Sequence, residues 1–284
     1  MPAQHAKKNH SAILLHGVDF TSAPRSKKGI TIASGHLQGD TFFLQSLTTL
    51  YDFAAFSAWL NQPGPWLGGF DFPFSFPREL ATQLGWPLQW PELITHVASL
   101  SRATLREQFK AVCDARPVGS KFIHRATDIP AGSSSPMKWV NPPVAYMLHA
   151  GAPLLLQAGV SIPKMFDSDP DRLALEAYPG MLARSISRAS YKNDAPAMQT
   201  AERHAAREII IKTITAGDYP QQIKLHAGHH RQALLNDGSG DLLDAVLCAL
   251  LAAWGWQRRD DGFGLPDDVD ELEGWIVGAE RLKA

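Results

Sequence analysis

A mixed α/β fold, one sheet flanked by helices, is predicted by three features of this 284-residue chain. Short apolar runs of strand length each end in an acid: Ile13-Leu14-Leu15-His16-Gly17-Val18 before Asp19, Trp66-Leu67-Gly68-Gly69-Phe70 before Asp71, and Leu173-Ala174-Leu175 before Glu176. Helical patterns separate these runs. A very apolar helix opening on Asp241 and Asp244 follows late in the chain.

The first strands read as 12–19, 29–37 and 41–47, joined by short links such as Pro24-Arg25-Ser26-Lys27-Lys28-Gly29. Links that short imply antiparallel neighbours. Residues 51–61 place Phe53, Phe56, Ala58, Trp59 and Leu60 on a helical pattern stopped by Asn-Gln-Pro-Gly-Pro. A helix there makes a crossover, so the buried strand 66–71 returns parallel to an earlier one. The order is β-β-β-α-β.

From Pro73 to about residue 168 the pattern changes to prolines, scattered aromatics and helical patches at 91–113 and 143–158. Roughly ninety residues exceed a plain loop, so a large, mainly helical insertion is expected to cap the domain. The organisation is then a flexible tail at 1–11, a first part of the sheet domain at 12–72, the cap at 73–168, and the remainder at 169–284. That remainder holds a strand at 171–178, helices near 197–213, 220–235 and 241–256, and a strand at 274–277. On the last long helix Leu242, Leu243, Val246, Leu247, Leu250, Leu251 and Trp254 cover most of the circumference, marking a helix buried on most sides. Asp241 and Asp244 share one of its faces with the small residues Ala245, Cys248 and Ala252, which let it lie close to a sheet.

Composition bounds the function. Apolar residues make up 45% and charged residues 19%, the balance of a folded protein. The net charge of −1 disfavours extended nonspecific grip on nucleic acid, which calls for a basic excess. Cys113 and Cys248 are too few for a disulfide framework or paired metal clip and fit a reducing cytoplasm. No stretch has the length of a signal-peptide core or a membrane helix, so no membrane partner is expected. Charge is uneven: 101–140 carries seven Lys or Arg against three acids, and 258–284 eight acids against four bases. That asymmetry makes Lys121, Arg125 and Lys138, with Lys192, candidates for contacts to a bound phosphate.

Each acid also has a structural reading. Asp241 or Ser239 suits a helix N-cap with Asp244 near the third position. Asp19 and Asp71 precede turn-like segments, and Glu176 invites an ion pair with a nearby base. Their shared position at strand ends and one helix start is what suggests a carboxylate cluster for divalent metal. His226, His229 and His230 lack an evident further ligand and read as a solvated loop. Trp86, Trp90 and Trp139 read as core of the cap.

The ordered motifs Gly17-Val18-Asp19-Phe20-Thr21-Ser22-Ala23-Pro24, Gly69-Phe70-Asp71-Phe72-Pro73-Phe74, Glu176-Ala177-Tyr178-Pro179 and Asp241-Leu242-Leu243-Asp244-Ala245 resemble a bacterial family catalogued as domain of unknown function 429. Its members are predicted ribonuclease H-like nucleases, and the resemblance spans roughly residues 12–278. An acid on the first strand, another on the fourth and a D-x-x-D on a late helix are similar to the Holliday-junction resolvases of that superfamily. The resemblance implies a ribonuclease H-like mixed sheet and a metal-dependent nuclease. By that resemblance Asp19, Asp71 and Asp244 become the catalytic ligands of Mg²⁺ or Mn²⁺ with Asp241 as an accessory; Glu176 has no firm counterpart in the resolvase pattern and is read, from its place at a strand end, as an outer or second-metal ligand. The resemblance also implies a nucleic-acid partner, and a branched substrate would suit a homodimer. Hard oxygen ligands suit such ions, which activate water and neutralise a leaving oxygen.

Two other functions compete. An actin-like or sugar-kinase-like ATPase would want a glycine-rich phosphate turn after the first strand, where Phe20-Thr21-Ser22-Ala23-Pro24 stands. A noncatalytic nucleic-acid-binding module would keep the fold and bind without turnover.

Overall fold

The computed structural model describes residues 13–280, so the expected tail at 1–11 lies outside the described residues. Strands β1 (Leu14–Asp19), β2 (Ile30–Gln38) and β3 (Thr41–Leu50) form an antiparallel meander, because the links between them are too short for a crossover. Helix α1 (Phe53–Leu60) starts where the Asp52 carboxylate accepts the Ala55 N–H. It carries the chain over to β4 (Trp66–Phe70), which pairs with β1 in parallel, Gly17 opposite Gly69 and Val18 opposite Phe70.

Five helices follow: α2 (Arg78–Gln83), α3 (Trp90–Ser99), α4 (Arg102–Asp114), α5 (Asp128–Ala131) and α6 (Val144–Ala158). The helix expected over 91–113 is therefore two, divided where the Ser101 hydroxyl accepts the Thr104 N–H and caps a new start. The chain re-enters the sheet as β5 (Val160–Ser161) and β6 (Asp169–Glu176). Next come α7 (Pro179–Ile186), α8 (Ala201–Ala216), β7 (Lys224–His226), α9 (Arg231–Asn236) and α10 (Asp241–Gln257).

The seven strands lie in the order β5-β6-β4-β1-β2-β3-β7. Its two edge strands are two and three residues long, which leaves little open edge for pairing with another chain. Helices cover both faces. On one, Leu15, Leu67 and Leu175 meet Ile210, Ile214, Leu247 and Leu250 from α8 and α10. On the other, Val18, Ile32 and Phe70 meet Phe56, Leu93, Phe109 and Leu148. The helices after Pro73, expected as a cap, thus share one core with the strands and form a layer on this second face. Trp86 and Trp90 are buried within it, with Trp139 packed alongside.

Two late elements differ from expectation. Residues 220–235 are not one helix. The Tyr219 hydroxyl donates to the Ile223 carbonyl (2.6 Å) across a left-handed Gln222, the chain turns back, and β7 adds to β3 before α9 begins. The expected strand at 274–277 is a single parallel bridge from Ile276 to Glu176, bounded by positive-φ Gly274 and Gly278.

Helix α10 rests on the backbone of the central strands. A Cβ on Gly17 would stand 2.0 Å from the Ala245 carbonyl oxygen and 2.1 Å from the Ala249 nitrogen, and one on Gly69 would stand 2.4 Å from the Cys248 carbonyl oxygen. The small residues of α10 and these two glycines set the separation of helix and sheet. Gly17→Ala is therefore expected to cost at least about 2 kcal/mol, seen as a lower urea midpoint with an unchanged denaturant slope.

Candidate active site

Asp19 ends β1 and Asp71 directly follows β4, and the Asp71 N–H donates to the Val18 carbonyl (2.9 Å), so the two acids sit side by side at the same end of adjacent strands. Side chains alternate across a strand. Asp19 shares the face of Gly17, and Asp71 that of Gly69, both of which meet α10. The first turn of α10 brings Asp244, fully buried, and Asp241 to the same end.

The capping reading of Asp241 or Ser239 gives way to Asp237. Its Oδ2 accepts the Leu242 N–H (2.8 Å), while Gly240 occupies the cap position at φ +79°. Asp241 instead accepts from the Lys28 ammonium (2.7 Å), which also reaches Asp194 (2.8 Å). Asp244 accepts from the Tyr191 hydroxyl and the Lys192 ammonium.

The charges are poorly compensated. Burial raises the Asp19 pKa well above the ordinary carboxylate range, and the charges of Asp244, Asp241 and Asp71 raise it further against the pull of Lys192. Burial and the Asp244 charge push Asp71 up to about 7. Neither carboxylate receives a side-chain hydrogen bond from the described residues. Burial works against the Lys192 ammonium, but Asp244 and Asp19 outweigh it and its pKa is raised.

Glu176 lines the same cavity and its charge adds to the rise in the Asp71 pKa, but it reaches the site from the other face of the sheet. It ends β6 opposite Phe70 rather than Asp71 and shares its face with Ala174, which packs in the core layer away from α10. There Arg125, 1% exposed, grips both oxygens of Glu176 (2.6 and 2.7 Å) and also Asp128 (2.9 Å). The Phe74 N–H donates to Glu176 as well (3.0 Å). Arg125, expected at a phosphate, does line the cavity, with its guanidinium held in a buried ion-pair triad. Lys121 and Lys138 do not line the cavity at the acids. The histidines divide: His226 lies on β7 against the Phe43 ring, and His230 points Nε2 at the Gln45 carbonyl (3.1 Å).

The acids face a cavity of about 680 Å³, within the size range of ligand pockets. Asp19, Asp71 and Asp241 line it, with Phe20 and Phe72 beside them, and Lys28, Lys192, Arg184 and Arg188 supply cations. Tyr191, Lys28, Arg184 and Arg188 were not singled out from sequence. The adjacency of Tyr191 to Lys192 and the basic turn around Lys28 were the available signals. Among the described residues, no three or more His, Cys, Asp or Glu side chains stand arranged to hold a metal ion. Lys192 and Lys28 supply the positive charge at the acids. No described helix is long and apolar enough to cross a membrane.

Comparison with protein-family models, with curated proteins and with solved structures found no match to this chain.

A carboxyl that binds its proton more tightly folded than unfolded loses stability as pH rises between its two pKa values. For Asp71 that window runs from 3.8 to about 7. Asp71→Asn is expected to exceed the wild type in stability by about 1–3 kcal/mol at pH 8 in metal-free buffer, with the gap closing towards pH 4; urea midpoints across pH measure it. Arg125→Met, which leaves the buried carboxylates of Glu176 and Asp128 without their guanidinium, is expected to lower stability by about 3 kcal/mol in the same assay at pH 7.

Proposed function

We propose that this protein is a nuclease of ribonuclease H-like fold that hydrolyses phosphodiester bonds with Mg²⁺ or Mn²⁺ at Asp19, Asp71 and Asp244. One observation carries the reading: Asp19, Asp71 and Asp241 line one cavity with Asp244 buried behind them, and the charges of these acids raise the pKa of Asp19, that of Asp244 also raising Asp71. The donor set fits the ion class, because clustered carboxylate oxygens are hard ligands and their repulsion calls for a cation. Two divalent ions bound there would supply an activated water and neutralise the leaving oxygen.

The residues divide the work. Asp71, Asp244 and Asp19, which feels the other three acids, would hold the metal, with Asp241 as an accessory. Arg184 and Arg188, both exposed, suit contacts to the phosphates of a nucleic acid. Near-neutral net charge favours a short contact over a long electrostatic track. A homodimer belongs to the same proposal if the substrate is branched. A noncatalytic nucleic-acid-binding module is the second reading, favoured by Tyr191 and Lys192 covering Asp244.

In calorimetry with Mn²⁺ up to millimolar concentrations, the wild type is expected to bind, and Asp19→Asn and Asp244→Asn each to lose about tenfold or more in affinity. The same variants should lose about 100-fold or more in cleavage of single-stranded, duplex and branched DNA and RNA. Metal binding without cleavage of any of these selects the noncatalytic module. No uptake, or uptake unchanged in both variants, rejects the carboxylate site.

A further inference from the structure

Asp244 is fully buried and does not itself line the cavity; its carboxylate oxygens face the Tyr191 hydroxyl and Lys192 ammonium, which do. Both donors belong to the segment between α7 and α8, which lies across the start of α10. The Asn193 N–H donates to the Gly238 carbonyl (3.0 Å), and Arg207 from α8 holds the Tyr191 carbonyl (2.7 Å). The Lys192 stem passes so close over Gly240 that a Cβ there would stand 2.7 Å from it. The Lys192 side chain is nevertheless 43% exposed, whereas Asp244 is 0% exposed on a helix packed into the core. The Lys192 side chain thus runs from solvent to a carboxylate that the core holds in place.

We propose that Lys192 is the resident counter-cation of the acid cluster, and that a divalent ion loads by displacing its ammonium from Asp244. The proposal rests on the metal-dependent reading above. A single ammonium serves Asp244 directly and leaves Asp19 and Asp71 without a hydrogen-bonded cation, whereas a divalent ion held by these acids would bring twice the charge. Displacement also relocates a positive charge. Lys192 lines the same cavity as Arg188 and Arg184, so the freed ammonium stays tethered where a phosphate would meet it. Loading would thus convert an internal ion pair into a substrate-facing cation.

The test compares Mn²⁺ binding by calorimetry for the wild type, Lys192→Met and Lys192→Arg. Lys192→Met, which keeps the stem and loses the charge, is expected to bind about tenfold or more tightly than the wild type, and Lys192→Arg to stay near it. Lys192→Met binding equal to or weaker than the wild type overturns the displacement while leaving the metal site standing. No uptake by the wild type or by folded variants overturns both. Because Lys192→Met strands a buried carboxylate and could fail to fold, a second measurement uses the wild type alone. Acetic anhydride labelling followed by mass spectrometry should show Lys192 acetylated several-fold faster in millimolar Mg²⁺ than without it. Lys212, exposed on α8, is the internal control. Unchanged Lys192 labelling under Mg²⁺ that raises the melting temperature also overturns the proposal.

Discussion

Helix α10 lies on bare backbone. Gly17 and Gly69 occupy paired positions on β1 and β4, and Ala245, Cys248 and Ala249 meet them from above. This contact fixes both the height and the position of the helix along its axis, because carbonyl oxygens seated against glycine Cα atoms leave no space to slide. Asp19 and Asp71 stand two residues beyond the glycines on the same face, and Asp244 directly precedes Ala245. The packing that holds the largest helix to the sheet therefore also brings the acids together. A side chain at either glycine would damage stability and site geometry at once.

The two faces of the sheet treat their acids differently. Away from α10, Glu176 receives a guanidinium in a two-point grip and a backbone N–H, a buried charge with its partners supplied. On the α10 face, Asp19 and Asp71 lack such partners, and what positive charge exists comes from lysines on two surface segments. A protein built only for stability would not keep this arrangement. Local frustration of this kind is where binding and chemistry tend to be found.

Much of this was legible in the chain. The β-β-β-α-β opening followed from link lengths and a helical pattern, and the close approach of α10 from its small residues beside Asp241 and Asp244. The grip of Arg125 on Glu176 was hidden, because the apolar run before Glu176 shows only that a strand ends there. Which face Glu176 takes depends on register against β4, and that pairing, Phe70 with Glu176, is fixed by contacts a linear reading does not contain. Arg125 suffered the same way, since its partner lies 51 positions away. The helices after Pro73 looked like a cap because prolines and aromatics hide which surface they cover. At the start of α10, Asp237 took the capping role through a longer reach across Gly238-Ser239-Gly240 than the usual motif spans. That released both acids of the D-x-x-D for other partners.

The Arg125 triad also bears on how the molecule opens. It ties residues 125–128 to β6, while the Thr127 hydroxyl takes the Ile276 N–H and Glu273 takes the Ala126 N–H, and Arg184 reaches the Ala131 and Gly132 carbonyls. One wall of the cavity is thus stitched to the sheet and to the 273–276 segment through several bonds, those of Arg125 and Thr127 buried. The segment bearing Tyr191 and Lys192 is held by fewer bonds, most of them facing solvent. Hydrogen exchange would divide the cavity's two sides into separate kinetic classes, one exchanging only with global unfolding and the other through cheap local openings.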